Sequence, residues 1–166
     1  MKINQELANY LLSLPKNIVG NSCIDIQKNK IVLKLISPED NNWEFSVDII
    51  NNRKKSFKIT LHHRENKNNC GLTRVDFNGG HTNPVDIIDS LPLFFHRYAG
   101  YEFVNESHIH IFVDGYRDLA WAIPLQNHTE FMQKEIIDTD SHLDAIKEFA
   151  KHINIIDTFT FQDSLI

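Results

Sequence analysis

Two segments decide the fold: Leu72-Thr-Arg-Val-Asp-Phe-Asn-Gly-Gly-His-Thr-Asn-Pro84 and His108-Ile-His-Ile-Phe-Val-Asp-Gly-Tyr-Arg-Asp118. Polar and apolar residues alternate in both, which is typical of strands with one buried face. Because strand side chains point alternately to two faces, Arg74 and Asp76 share one face, and so do His108 and His110. If the two strands pair, these four side chains meet on the polar side of a sheet.

The rest of the chain supplies further strands and two helices. Alternation predicts strands over 30–36, 43–49 and 57–61, and a final edge strand over 158–161. Pro15 ends a predicted N-terminal helix, and Asp140 or Ser141 caps a C-terminal one. Their apolar stripes are Ile3, Leu7, Tyr10, Leu11 and Leu14, then Leu143, Ile146, Phe149, Ala150 and Ile153. The prediction is a single α+β domain over 1–166, an antiparallel sheet of about five or six strands packed by an N-terminal and a C-terminal helix.

An aromatic insert, residues 85–105, separates the two deciding segments. It is too apolar for a disordered linker, and its rings include Phe94, Phe95, Tyr98 and Tyr101. A short helix over 85–91 is possible, with Asn83 as its cap and Pro84 at its first position. The insert could pack over the sheet edge, form a lid, or present a partner surface.

Composition and charge indicate the size of the domain and the location of the protein. The chain has 166 residues and a net charge of −5, sized for one compact core. Residues 1–70 hold 11 Lys and Arg against 7 Asp and Glu, whereas residues 71–166 hold 6 against 15. The basic excess, largely at 53–55, Lys58, Arg64 and Lys67, could attract phosphate or simply be a solvated turn. No membrane span or signal peptide is visible, so we expect a cytoplasmic protein with Cys23 and Cys70 reduced and no membrane partner. The oligomeric state is open.

Three interpretations of the polar residues compete. The first is a metal site that uses His108, His110 and His81, with Asp76 as an optional further ligand, because neutral imidazole is a common ligand of transition metals. The HxH pattern lacks the helical spacing that would identify a hydrolase. We therefore predict no metal and no cofactor.

The second interpretation is metal-independent cleavage of a phosphodiester. One histidine would take a proton and another would donate one, with His108, His110, His81, Arg74 and Asp76 as the catalytic set. Arg74 or Arg117 would hold the phosphate, and Gly79-Gly80 would let the backbone approach it. Tyr116 and Trp121 would stack on bases, and Asn83 completes the substrate-binding set.

The third interpretation is structural. Arg74 would pair with Asp76 or Asp118, the two histidines would be exposed or hydrogen bonded, and the glycines would only make turns. Clustered ionisable groups also arise in such networks, so the residues alone leave this alternative open.

Several motifs carry a resemblance to a group of proteins. They are Arg74-Val-Asp76, Gly79-Gly-His-Thr-Asn-Pro84, His108-Ile-His110, Gly115 and Ala120-Trp-Ala-Ile-Pro124. Together they resemble the signature of small, poorly characterised bacterial and phage domains, some of which look like toxin–antitoxin or phage-conflict proteins. The resemblance covers about a third of the chain and implies a setting rather than a reaction.

The favoured function is a toxin-like ribonuclease or related nucleic-acid phosphodiesterase, with RNA or single-stranded nucleic acid as its substrate. The alternative is a non-catalytic phage or mobile-element inhibitor. It would bind a host defence protein, or a cognate antitoxin, through the acidic half and through Phe94, Phe95, Tyr98 and Tyr101. An enzyme predicts loss of activity on substitution of His108 or His110, whereas an inhibitor predicts weaker complexes on charge reversal.

Overall fold

The structure is a computed structural model that describes residues 2–52 and 58–162. Among these residues the main sheet is antiparallel and has seven strands. In their order across the sheet, the strands are β1 (Asn17–Val19), β3 (Lys30–Ile36), β4 (Glu44–Asn52), β5 (Lys58–Glu65), β6 (Cys70–Thr82), β7 (Glu102–Ile111) and β8 (Trp121–Pro124). A separate parallel pair joins β2 (Cys23–Ile24) to β9 (Thr160–Phe161).

Two α-helices cover one face of the sheet. Helix α1 (Gln5–Ser13) begins after Asn4, whose side chain accepts a hydrogen bond from the Leu7 amide. Helix α2 (Thr139–His152) begins after Asp138, which forms a capping box with Ser141. Two short 3₁₀ helices lie at Leu93–Tyr98 and Leu125–Asn127. Apolar residues of both α-helices join the core that the sheet's apolar side forms.

Alternation along the strands separates an apolar face from a polar one. In β5, Ile59 and Leu61 are buried, while Thr60 and His62 point to the other side and are less enclosed. The register carries this division across the sheet, since Leu61 pairs with Val75, which in turn pairs with Ile109. The face opposite the helices is therefore the polar one, and it carries Arg74.

The α+β class and the antiparallel sheet agree with the sequence prediction, but several details were wrong. The main sheet has seven strands rather than five or six, because the three-residue β1 is too short to show alternation. The C-terminal helix starts after Asp138, not at a cap on Asp140 or Ser141. Residues 160–161 pair with β2 and do not extend the edge of the main sheet. Residues 53–57 lie outside the described residues. They include part of the predicted basic segment and the start of the predicted strand over 57–61.

The insert also differs from its prediction. Strand β6 continues to Thr82 and β7 begins at Glu102, so the excursion is shorter than 85–105. No helix forms over 85–91. Asn83 cannot cap one because its side chain is buried and bonded elsewhere, donating to the carbonyls of Tyr98 and Ala122 and accepting from the Ala122 amide.

No helix in the described part of the chain is long and apolar enough to cross a membrane. Cys23 and Cys70 are free thiols.

Candidate functional site

Pairing of β6 with β7 brings the four predicted residues together. Arg74 lies opposite His110, and Asp76 lies opposite His108. On the other side of β6, strand β5 places Thr60 opposite Asp76. The resulting cluster is the one that alternation predicted, and Thr60 is an addition to it.

The Asp76 carboxylate is the centre of the cluster. Its Oδ1 accepts a hydrogen bond from the Thr60 hydroxyl, and its Oδ2 accepts one of 2.8 Å from Arg74 Nε. The Nε2 atoms of His110 and His108 lie 3.1 and 3.5 Å from the same Oδ2. Burial would raise the pKa of this carboxyl, but the charge of Arg74 and the hydrogen bonds from Arg74 and Thr60 outweigh burial and hold the pKa well below its usual range. Asp76 is therefore ionised.

Backbone carbonyls fix the orientation of both imidazole rings. His108 Nδ1 lies 2.7 Å from the Glu106 carbonyl, and His110 Nδ1 lies 2.7 Å from the Leu119 carbonyl. A carbonyl oxygen can only accept, so each Nδ1 carries the proton that it donates. In a neutral ring the lone pair is then on Nε2. In both residues Nε2 is the ring atom that faces Asp76.

The side chain of Arg74 bridges two of these acceptors. Its Nη2 lies 2.7 Å from His110 Nε2 while its Nε donates to Asp76. The side chain is 30% exposed, so the guanidinium is the part of the cluster that solvent reaches most. His108 Nε2, by contrast, is buried and has no hydrogen-bond partner among the described residues.

Both histidines are enclosed, with 0% exposure. The ring of Phe103 lies 4.5 Å from that of His108, and the ring of His81 lies 4.5 Å from that of His110. Burial lowers the pKa of His110 to about 4, an effect that the neighbouring negative charge of Asp76 opposes. At neutral pH the Nε2 lone pair of His110 can accept a hydrogen bond or bind a cation, but this atom has no proton to give.

The predicted catalytic residue His81 is a neighbour of the cluster rather than a member. Its Nε2 donates to the Ala120 carbonyl at 2.9 Å, which commits that nitrogen. The half-buried ring of His81 stacks on the ring of His108 and lies edge-on to the ring of His110. We interpret His81 as part of the wall that excludes water.

Two open grooves flank Arg74. One, of about 350 Å³, is lined by Thr60, Arg74, Asp76, Gly79 and other residues of β4–β6. The other, of about 250 Å³, lies on the side of His62, Arg64 and Asp118. A ligand in either groove would meet Arg74 first, and the first groove also reaches Asp76.

The predicted substrate-binding residues do not gather here. Trp121 is 0% exposed and packs its ring against Phe95 and Tyr116, so the prediction that it stacks on bases is wrong. Asn83 is buried and fully engaged with backbone, so it is structural. Tyr116 is half-buried, and its hydroxyl bonds the backbone at Asp86 and Ile88. Arg117 is 96% exposed beside Asp118, in a different surface depression from that of Asp76.

Sequence reasoning missed Thr60 and His62. Both lie on the polar face of β5, next to Asp76 and Arg74 respectively, so alternation together with the meander order could have found them. The carbonyls of Glu106 and Leu119 give no signal in a sequence, because backbone positions depend on the complete fold.

A second group of possible metal ligands consists of His128, Glu130 and His152. Here His152 Nδ1 donates to Glu130 at 2.8 Å, and both histidine rings pack against Phe131. Glu130 is exposed, and this group lies at the end of α2, away from the polar sheet face.

The fold and the cluster define the class of protein: an α+β domain whose antiparallel sheet holds an aspartate and two buried histidines on its polar face. The chain belongs to DUF6978, a family of unknown function whose model matches residues 3–155. No curated protein and no solved structure matches it. The family match includes both strands that build the cluster.

Proposed function

We propose that the protein is a nucleic-acid phosphodiesterase whose Asp76–His108–His110 cluster activates the nucleophile and whose Arg74 binds the phosphate. One observation carries the proposal: three electron-pair donors converge beside a partly exposed arginine side chain at the edge of an open groove. Perturbed ionisable groups gathered in a cleft are typical of catalytic sites.

The charge of the polar face supports a phosphate-containing substrate. The strand registers put a row of cations on the same face as Asp76: Lys30, Lys34, Lys58, Arg64 and Arg74. Arg64 and Lys30 contact Asp48, so part of this charge is neutralised. An arginine fork matches two phosphate oxygens, and Arg74 borders both grooves. A polyanionic strand could therefore lie across the face with one phosphate at Arg74.

The buried histidines favour a different chemistry from the acid–base pair that the sequence predicted. A general acid needs a proton at working pH, and His110 has a pKa of about 4. The cluster instead offers lone pairs and one negative charge, which can accept hydrogen bonds from an attacking water molecule or hydroxyl and orient it, while its proton passes to solvent. Arg74 would stabilise the charge that develops on the phosphate oxygens. The leaving oxygen would take its proton from solvent.

The test is incubation of the purified chain with total RNA and with single-stranded DNA, with and without a chelator. We expect cleavage of RNA by the wild type and a loss of about 100-fold or more in His110→Gln, the scale that misplacement of a reacting group costs. His152→Gln, at the end of α2, is the matched control and should cleave normally. Absence of cleavage of both substrates, or an unchanged rate in His110→Gln, would contradict the proposal. A role as a toxin stays a prediction from the resemblance.

A second candidate function, binding of a protein partner as an inhibitor, is favoured by a separate observation. The segment between β6 and β7 and the start of β7 expose many apolar side chains: Val85, Ile87, Ile88, Leu93, Phe94, Tyr101 and Val104. Large exposed apolar groups often mark interaction sites. Of the four predicted anchors, Phe94 and Tyr101 are exposed, whereas Phe95 and Tyr98 are core residues and cannot be anchors.

If the protein is an inhibitor, its affinity for the partner should depend on Phe94 more than on surface charge, because buried rings carry more interface energy than rim charges. Capture from host lysate at low ionic strength should return one protein with the wild type and lose it with Phe94→Asp. Asp86→Asn should mainly slow association. Equal capture by wild type and Phe94→Asp would remove the candidate.

A further inference from the structure

The polar cluster presents three acceptors to one point. Asp76 Oδ2 and the Nε2 atoms of His108 and His110 all lie within 4.8 Å of one another. Electron-pair donors repel one another unless a cation lies between them. In this structure the guanidinium of Arg74 supplies the cation for Asp76 and His110, and His108 Nε2 has no hydrogen-bond partner in the part of the chain that the structure describes.

Two of the spacings between these donors are close to those in a metal site. Bonds of about 2.0–2.2 Å from a tetrahedral ion place its ligand atoms roughly 3.3–3.6 Å apart. Asp76 Oδ2 lies 3.5 Å from His108 Nε2 and 3.1 Å from His110 Nε2. Two imidazoles and a carboxylate form the kind of ligand set that catalytic zinc sites use, and the first groove reaches Asp76.

Each of the three donors is oriented by a second hydrogen bond. The Glu106 and Leu119 carbonyls hold the two Nδ1 protons, and the Thr60 hydroxyl holds Asp76 Oδ1, leaving Oδ2 for the ion. Metal-binding histidines almost always donate their other ring N–H to such an acceptor, because it fixes the tautomer that binds. All three of these bonds turn the inward atoms toward one point, where Arg74 now contacts Asp76 Oδ2 and His110 Nε2.

We infer that Asp76, His108 and His110 bind a divalent transition-metal ion of the zinc class, and that Arg74 occupies the metal-free site. Uptake of the ion would release the guanidinium, whose side chain is partly exposed and borders both grooves. Arg74 would then be free to bind a substrate phosphate. The role of the ion as activator of the nucleophile rests on the proposed function. Bound water would lose a proton to solvent, and the resulting hydroxide would attack phosphorus as the bond to the leaving oxygen breaks and that oxygen takes a proton from solvent.

The test is calorimetric titration of the metal-free full chain with Zn²⁺, with folding checked by circular dichroism. Removal of a ligand in Asp76→Asn or His110→Gln should abolish binding at the cluster. Thr60→Val should weaken binding by about 10–100-fold, as loss of an orienting bond does. Arg74→Met should lower the Kd, because it removes the competing cation. His152→Gln, in the group with His128 and Glu130, should leave this binding event unchanged.

Failure to bind zinc in both the wild type and Arg74→Met would overturn the inference, as would binding that survives in Asp76→Asn and disappears in His152→Gln. If the variants that lack a ligand do not fold, comparison of the wild type with Arg74→Met and Thr60→Val still tests whether the cluster binds zinc. Co²⁺ gives a second readout, a visible absorption typical of tetrahedral sites, which Thr60→Val should weaken. Zinc binding without RNA cleavage would contradict the proposed function alone, whereas cleavage that needs no metal would contradict the metal's role alone.

Discussion

At the scale of single residues, the cluster depends on which atoms carry protons. Asp76 is ionised because its contacts outweigh the effect of burial, and His110 is neutral because burial dominates. His62, which lies on β5 opposite Arg74, is neutral for the same reason as His110, because burial lowers its pKa to about 4. The unfolded chain would protonate these histidines near pH 6.5. Their titration therefore couples stability to pH.

We expect the metal-free protein to lose stability between about pH 6.5 and pH 4. The folded-state pKa of His62 and His110 is lowered, so the unfolded state takes up protons first, and the stability present above pH 6.5 is lost as the pH falls. The slope is roughly 1 kcal/mol per pH unit for each histidine. Asp76, also lowered, adds its loss only below about pH 4. Urea midpoints at pH 7.5, 6 and 5 measure the effect, and His110→Gln should reduce it. A flat profile over this range would contradict these assignments.

At the scale of elements, a bulge in β6 shapes the site. The register with β7 shifts between Asp76 and Gly79 and again between Gly79 and Gly80. A Cβ atom on Gly79 would lie 2.9 Å from Asp76 Cβ and 3.0 Å from His108 Cε1, whereas one on Gly80 would meet nothing closer than 3.5 Å. Gly79 is therefore required by the close approach of its own cluster.

These two neighbours give a matched pair of variants. Gly79→Ala should destabilise the protein by about 1–3 kcal/mol, the usual cost of overpacking, and should displace Asp76 or His108. Gly80→Ala should be close to wild type. Denaturant unfolding and the zinc titration measure the two effects. Equal behaviour of the two variants would show that β6 does not hold the cluster as described.

Alternation allowed β6 and β7, and the four residues that meet between them, to be predicted from the sequence, because the period of two is local. The bulge, the carbonyls that orient the rings and the enclosure of His108 and His110 depend on chain segments far apart, so they could not. The burial of Trp121 and Asn83 was missed for the same reason: polar or aromatic residues beside a motif look available until the insert is folded over them. The short strands β1, β2 and β9 carry too few residues to show any period.

At the scale of the whole molecule, one buried lysine connects the two ends of the chain. Lys16 is 0% exposed, and its Nζ donates to the carbonyls of Leu12, Leu14 and Ile153, at the C-terminal ends of α1 and α2. Cations stabilise the C-termini of helices, where free carbonyls concentrate. The ammonium also lies 5.0 Å from the centre of the Phe45 ring on the apolar sheet face. Lys16 therefore holds both helices onto the side of the sheet opposite the cluster.

We expect Lys16→Met to destabilise the protein by about 3 kcal/mol, because three buried carbonyls lose the hydrogen-bond donor that they share. The exposed Lys151, on α2, provides the control, and Lys151→Met should change the free energy of unfolding by less than about 0.5 kcal/mol. Denaturant midpoints compare the two variants. Wild-type stability in Lys16→Met would mean that packing alone holds the helices.

The central claim is that His108 and His110 carry their protons on Nδ1 and direct their Nε2 lone pairs at Asp76. The most direct measurement is long-range ¹H–¹⁵N correlation of the histidine rings in the metal-free protein at pH 8. We expect Nδ1–H tautomers for both residues. The variants His110→Gln and His152→Gln serve to assign the signals. A proton on Nε2 of either ring would contradict it, because the cluster would then be a closed hydrogen-bond network without a free lone pair.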